Sequence, residues 1–261
     1  MSRRFDEHDL RSVTDLSGFW DFAFLGDVDP DAVDVAAIAF DDVMAVPGCF
    51  DATPKYAGQR GLVAYRTRVT FEDTTLYRLV LDGVHHWCRV FLDGDPVGDH
   101  VGGYTRFAMD LHPTGTDPVD LVILVDNRFD YDRCPLHLEY FDWYHYGGIA
   151  RGAELHRLGD LWIDDLQVVT TSISPPEVRV AVRYGTTTPS ADVPLAITVD
   201  GAQVLAEEIT TAENSGRIER VLSLPDAALW SPDEPQLHLV HVQLGHDDRR
   251  ERIGIRQVRV E

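Results

Sequence analysis

The chain has 261 residues, 44% hydrophobic and 10% aromatic, enough apolar material for one large core or two modest ones and too much for wholesale disorder. Its formal charge is −21, from 44 acidic against 23 basic side chains, with Lys55 the single lysine. Such a surface repels nucleic-acid phosphates and anionic bilayers, so neither is expected as a partner. Three scattered cysteines, Cys49, Cys88 and Cys134, are too few for a disulfide framework.

No apolar run approaches the roughly 20 residues that cross a bilayer. The opening MSRRFDEHDLRSV lacks the apolar segment of a secretory signal, so a cytoplasmic setting is expected. The acid is dispersed along the chain rather than gathered in a tail, a pattern suited to a high-salt cytoplasm. On that reading molar KCl should raise the melting temperature markedly; an unchanged melt would remove the idea.

No sustained 3.6-residue apolar stripe occurs, and short runs bounded by turn residues dominate. Residues 31–41 suit one or two helical turns. Residues 62–71 alternate over much of their length, as a half-buried strand does. The runs 76–81 and 87–92 end in Asp82-Gly83 and Asp93-Gly94, each offering the left-handed backbone of a tight hairpin. Residues 120–126 are almost continuously apolar, the mark of a strand buried on both faces. Trp20 and Leu121 are placed in cores.

A double proline in TTSISPPEV suggests a seam between domains around residues 170–176. Beyond it, strands are expected at 177–184, 193–200, 203–210, 217–224, 236–244 and 253–261, with Asp200-Gly201 as a turn. About seven short strands in under 100 residues are best accommodated by two packed antiparallel sheets. The expectation is therefore an all-β chain: residues 1–168 a jelly roll, residues 169–261 an immunoglobulin-like β-sandwich.

Chemistry concentrates in HLEYFDWYHYGGIAR at 137–151. Aromatic faces and carboxylates together are what a sugar site uses, because rings stack on C–H patches and acids accept from hydroxyls. Gly147-Gly148 permits close backbone approach, and Arg151 is expected to fix the turn by an ion pair. A structural loop whose tyrosines find internal partners is the competing interpretation. Glu139 and Asp142 do not by their spacing make a catalytic pair, and no catalytic residue is assigned.

His85, His86 and Cys88 are better explained by a core strand than by a metal site. Asp27, Asp29 and Asp31 alternate like a calcium loop but lack its glycine and closing glutamate, so a solvated acidic loop is expected. No metal and no cofactor are assigned. Neither G-x-S-x-G nor a phosphate-binding glycine loop is present.

The fragments in order resemble glycoside hydrolase family 2, the β-galactosidase, β-glucuronidase and β-mannosidase group. Gly18-Phe19-Trp20 with Phe22, Val46-Pro47-Gly48, Ala64-Tyr65-Arg66, Leu81-Asp82-Gly83-Val84, Val90-Phe91-Leu92-Asp93-Gly94 and Val125-Asp126-Asn127 follow that family's text. So do Tyr146-Gly147-Gly148-Ile149-Ala150-Arg151, Leu229-Trp230-Ser231-Pro232 and Ile253-Gly254-Ile255-Arg256. Ala150 and Asp93 depart from the usual residues.

The resemblance implies a galactose-binding-type jelly roll, then an immunoglobulin-like sandwich, then a (β/α)8 barrel holding both catalytic glutamates. Residues 1–261 carry no such barrel, so this region is expected to be inactive on glycosides and to support and line the site of a barrel in the same or a partner chain. Asp142 matches a sugar-contacting aspartate, with Trp143, Tyr144 and His145 beside it as further substrate-binding residues for a β-linked carbohydrate. Tyr146, Gly147, Gly148, Ile149 and Arg151 form the structural motif. A free-standing carbohydrate-binding module and a ligand-free interaction module remain as alternatives, and homo-oligomers are compatible with either.

Overall fold

Short strands separated by tight turns build almost the whole molecule. The computed structural model describes residues 5–130 and 144–258, and they fall into two units, Val13–Arg157 and Leu158–Glu261 with Met1–Ser12.

The first unit is a jelly roll. Its strands are β1 (Val13–Asp15), β2 (Gly18–Gly26), β3 (Asp42–Val46), β4 (Leu62–Val69), β5 (Leu76–Leu81), β6 (Val84–His85), β7 (Trp87–Leu92), β8 (Asp95–Val101), β9 (Phe107–Leu111), β10 (Val119–Asp126), β11 (Gly148–Ile149) and β12 (Ala153–Gly159). A six-stranded sheet has the order β3-β2-β4-β10-β7-β8, a four-stranded sheet the order β1-β12-β5-β9, and β11 pairs with β6 alone. Between the sheets lies a core with Trp20, Phe22, Tyr65, Leu79, Leu121 and Ile123.

The six-stranded sheet buries its other face as well. Leu62, Ala64, Val122 and Leu124 pack there under Val33, Val35, Ile38 and Phe40, carried by a segment with two 3₁₀ turns at Pro30–Ala32 and Val35–Ala37. The continuous apolar run of β10 is thereby explained, since its alternate residues enter two cores. The same holds for β4, which corrects the half-buried expectation: Leu62, Val63, Ala64 and Tyr65 are all fully buried.

The two Asp-Gly pairs of this unit behave differently. Asp93 (φ 51°) and Gly94 (φ 87°) both occupy the left-handed region and close the β7–β8 hairpin. Asp82-Gly83 makes no hairpin, because β5 continues into a strand of another sheet. There Gly83 O accepts from the N–H groups of Ala150 and Arg151, and a Cβ at Gly83 would meet Gly103 O at 2.8 Å. Close backbone approach, not turn conformation, is what requires that glycine.

The second unit is a seven-stranded sandwich of β13 (Leu161–Ile173), β14 (Pro176–Thr186), β15 (Ser190–Val199), β16 (Ala202–Thr211), β17 (Ser215–Ser223), β18 (His238–Leu244) and β19 (Asp247–Ile253). The sheets β13-β14-β17 and β16-β15-β18-β19 enclose Val180, Val182, Leu195, Ile197, Val240 and Val242. Asp200 (φ 51°) and Gly201 (φ 84°) turn β15 into β16 as expected.

The seam lies elsewhere than at 168/169, which falls inside β13. The double proline serves a hairpin within the sandwich: Ser174 and Pro175 link Ile173 to its partner Pro176. The opening residues also belong to the sandwich. Arg250 N–H donates to Glu7 O at 2.7 Å, and the buried Asp248 carboxylate accepts from the N–H groups of Asp9, Leu10 and Arg11 at 2.7, 2.8 and 3.1 Å.

Near the end of the chain, Trp230 N–H donates to Ile255 O and Arg256 lies over the indole at 4.5 Å. A Cβ at Gly254 would meet that indole at 2.7 Å. The L-W-S-P and G-x-R segments are thus two halves of one clasp. Among the described residues no helix is long and apolar enough to cross a membrane.

Candidate functional site

The Tyr146–Arg151 turn is held from below by buried polar groups of the jelly roll. Asn127, fully buried, follows β10; its amide donates to Asp51 Oδ2 and Gln59 O, each at 3.3 Å, and its Oδ1 accepts from Gly61 N–H at 2.9 Å. Asp51 accepts from Gly147 N–H at 3.0 Å. Burial raises the Asp51 pKa against the lowering effect of Gly147 N–H and of the Tyr144 hydroxyl.

Space explains both glycines. A Cβ at Gly147 would lie 2.5 Å from Asn127 Nδ2 and 2.6 Å from Phe50, and one at Gly148 would lie 2.8 Å from the Tyr65 hydroxyl. Gly148 also has φ 131°. Ile149 is fully buried and pairs with Val84.

Above this base a histidine layer is covered by tyrosines. His85 donates from Nδ1 to Tyr146 O at 2.8 Å, and its ring lies 6.0 Å from that of His145. His86 and Phe129 flank His145 at 5.2 and 5.3 Å. Desolvation, reinforced by His86, Arg60 and His85, lowers the His145 pKa to about 4, so the ring is neutral at pH 7. Tyr144 and Tyr146, 4.5 Å apart, are 43% and 44% exposed, and Tyr104 beside His85 is 57% exposed. An exposed aromatic surface on a rigid base results.

Of the expected sugar-contacting residues, Asp142 and Trp143 lie outside the described residues. Tyr144 stands on the exposed surface. His145 is 2% exposed, with its ring packed among His85, His86 and Phe129. Tyr146, expected to be structural, contributes its carbonyl to the framework and its ring to the surface. Arg151 donates to Tyr104 O at 3.4 Å and forms no ion pair among the described residues, since its stem lies against Gly83 and its head over a carbonyl.

Asp51 and Arg60 were not singled out by sequence. Nothing marks either among so many charged residues, and the Val125-Asp126-Asn127 match pointed only at Asn127.

The other candidates resolve into structure. Cys88 is buried, and desolvation pushes its thiol up to about 12, as a core cysteine requires. Asp31 pairs with Arg89 and Asp27 with Arg128, while Asp29 caps a 3₁₀ turn. His8, Asp247 and Asp248 bring three donor atoms within 4.8 Å of one another. Arg11 and three backbone N–H groups already engage those carboxylates, so they do not form a metal-ready set.

Residues 162–256 match the family model described as glycosyl hydrolases family 2. That segment is similar to the family 2 model over nearly all of the sandwich. The likeness extends over the jelly roll too. A putative β-glucuronidase of Formosa agariphila is 25% identical over 195 residues, covering 71% of this chain and 23% of its own length. A β-glucuronidase of Bacteroides fragilis is 24% identical, covering 93% of this chain and 37% of its own.

Among solved structures, the family 2 β-galacturonidase of Eisenbergiella tayi bound to galacturonate superposes on all of this chain with TM-score 0.84 and 27% identity. This chain spans 46% of that one. The family 2 resemblance and the all-β fold are thereby shown, over a part of the length of the relatives.

Proposed function

We propose that this region is the non-catalytic front of a family 2 β-glycosidase: it buttresses a (β/α)8 barrel, in the same or a partner chain, and presents Tyr144 and Tyr146 as part of one wall of the substrate pocket. The supporting observation is the Asp51–Asn127–Gly147 bracket, which holds a turn rigidly while leaving Tyr144 and Tyr146 exposed. A turn serving only the fold would be expected to bury those rings; a pocket wall has to keep them available.

The ligand class is a β-linked carbohydrate, whose C–H faces stack on tyrosine. Relatives named β-galactosidase, such as that of Thermoanaerobacter pseudethanolicus at 26% identity, and relatives named β-glucuronidase are both compatible. Retaining chemistry needs two carboxylates about 5 Å apart across the scissile bond, and the catalytic pair is assigned to the barrel.

Replacing Tyr144 by Ala in the native polypeptide tests the proposal. KM for a p-nitrophenyl β-glycoside should rise several-fold in a variant that a thermal melt shows to be folded. Unchanged kinetics in a folded variant would leave the loop with a structural role only.

A further inference from the structure

Arg60 is a half-buried cation of this surface, and its surroundings differ from those of the arginines that pair with carboxylates. Arg78 and Arg89 each turn the Nε/Nη2 edge of the guanidinium onto both oxygens of an aspartate, Asp110 at 2.6 and 3.1 Å and Asp99 at 2.6 and 3.0 Å. Arg60 forms no ion pair among the described residues. Its Nη1 donates to Asn127 O at 3.0 Å and His145 O at 3.1 Å.

Its planar face is held as well, 4.2 Å from the centroid of Phe129 and 5.5 Å from that of Tyr144. Position and plane are therefore fixed by two carbonyls and two rings, while Nε and Nη2 bond nothing among the described residues. That free edge is the one that grips carboxylates elsewhere in this chain. A half-buried guanidinium immobilised before its partner arrives loses little further entropy on binding an anion.

We propose that Arg60 is a preformed carboxylate-binding group of the substrate wall, and that the substrate class is a β-linked glycoside of an acidic sugar. The inference rests on the reading of this surface as a pocket wall. The Nε–H and Nη2–H groups donate in parallel to the two oxygens of the sugar acid, while Tyr144, stacked on the same guanidinium, borders the ring. Elsewhere the protein carries a large negative charge. A fixed cation without an ion pair among the described residues favours an anion against that net negative background.

The test compares wild type, Arg60→Gln and Arg60→Lys in the native polypeptide on three probes. These are p-nitrophenyl β-glucuronide, neutral p-nitrophenyl β-galactoside, and 4-carboxyphenyl β-galactoside, which carries its acid on the leaving group. Arg60→Gln should lower kcat/KM for the glucuronide about tenfold or more and that for the neutral galactoside by a clearly smaller factor, the signature of a lost charge-assisted fork. Arg60→Lys, which keeps the charge and loses the fork, should restore only part.

Equal losses on all three probes, or a loss confined to the carboxyphenyl galactoside, would overturn the assignment to a sugar acid. Turnover of galactosides alone would do the same and leave the proposed function standing. If no probe is hydrolysed, the β-glycosidase proposal fails instead, and calorimetric titration with sodium glucuronate decides Arg60 separately. Binding by wild type that disappears in Arg60→Gln supports the site, and absence of binding by wild type refutes it. Thermal melts of both variants exclude unfolding as the cause.

Discussion

Each unit ties a loop to its body through a buried carboxylate, and the two use opposite electrostatics. In the jelly roll, Asp51 receives one N–H of the Gly147 turn and a neutral amide, and burial wins: its pKa is raised. In the sandwich, burial works to raise Asp248 as well, but the N–H groups of Asp9, Leu10 and Arg11, with His241, hold it below the usual range. Burial raises both, and the donors facing each carboxylate decide the sign: three backbone N–H groups with His241 outweigh it at Asp248, whereas Gly147 N–H and the Tyr144 hydroxyl do not at Asp51.

The histidines divide in the same way. His145, His86 and His100 of the jelly roll are all lowered, chiefly by desolvation. In the sandwich, desolvation of His238 is outweighed by the Ala228 carbonyl and Asp200, and its pKa is raised.

The largest expected effect comes from breaking the sandwich clasp. Arg11 grips the buried Asp247 through Nε and Nη2 at 2.8 and 2.5 Å. Arg11→Ala strands that charge and should cost the sandwich about 3–5 kcal/mol. Hydrogen exchange resolved by peptide should show the loss in β13 and β19 and not in β4 or β10; uniform loss would deny that the clasp is local.

Next is Gly147→Ala, whose methyl group meets Asn127 and Phe50 inside ordinary contact. Overpacking of this kind costs about 1–3 kcal/mol, expected in the jelly roll alone. Denaturation of the variant with an unchanged midpoint would show that the turn yields.

Acid separates the units by sign. A histidine whose folded pKa is depressed contributes stability above 6.5 that is lost as pH falls toward its folded value, about 4 for His145. That loss is on the order of 3 kcal/mol. Asp51 works against it, since a raised carboxyl contributes stability at low pH and loses it as pH rises through the folded value. His238 contributes fully below 6.5 and loses its contribution as pH rises through its raised value. Asp248 contributes above 3.8 and loses its contribution below.

Between pH 6.5 and 4 the jelly roll should therefore weaken while the sandwich holds. Peptide-resolved exchange at pH 7, 5.5 and 4.5 checks this, and weakening of the sandwich first would reverse the comparison. The smallest effect is on stability in Tyr146→Ala, within about 0.5 kcal/mol because that ring is exposed.

Legibility in the sequence followed the range of the interactions. Asp93-Gly94 and Asp200-Gly201 were readable as hairpins because the turn needs only its own residues. Asp82-Gly83 has the same letters and another role, set by Gly103 from a distant loop. The double proline was read as a seam because a turn and a linker share composition. Clean alternation betrayed the sandwich strands, whereas β4 looked half-buried because a cover segment supplies its second core.

The candidate surface was found through its aromatic letters, yet His145 turned inward and Arg60 was unmarked. What separates Arg60, anchored yet without an ion pair among the described residues, from a salt-bridged arginine is two carbonyls and two rings brought from elsewhere in the chain. No local pattern encodes that.

The central claim, that this region positions substrate and performs no chemistry, is tested most directly by assaying residues 1–261 on their own. On p-nitrophenyl β-glucuronide and β-galactoside the account predicts no turnover above the buffer rate, in a folded protein with both units protected from exchange. Turnover above that rate by this polypeptide would contradict it, and would place a catalytic carboxylate pair inside the jelly roll or the sandwich.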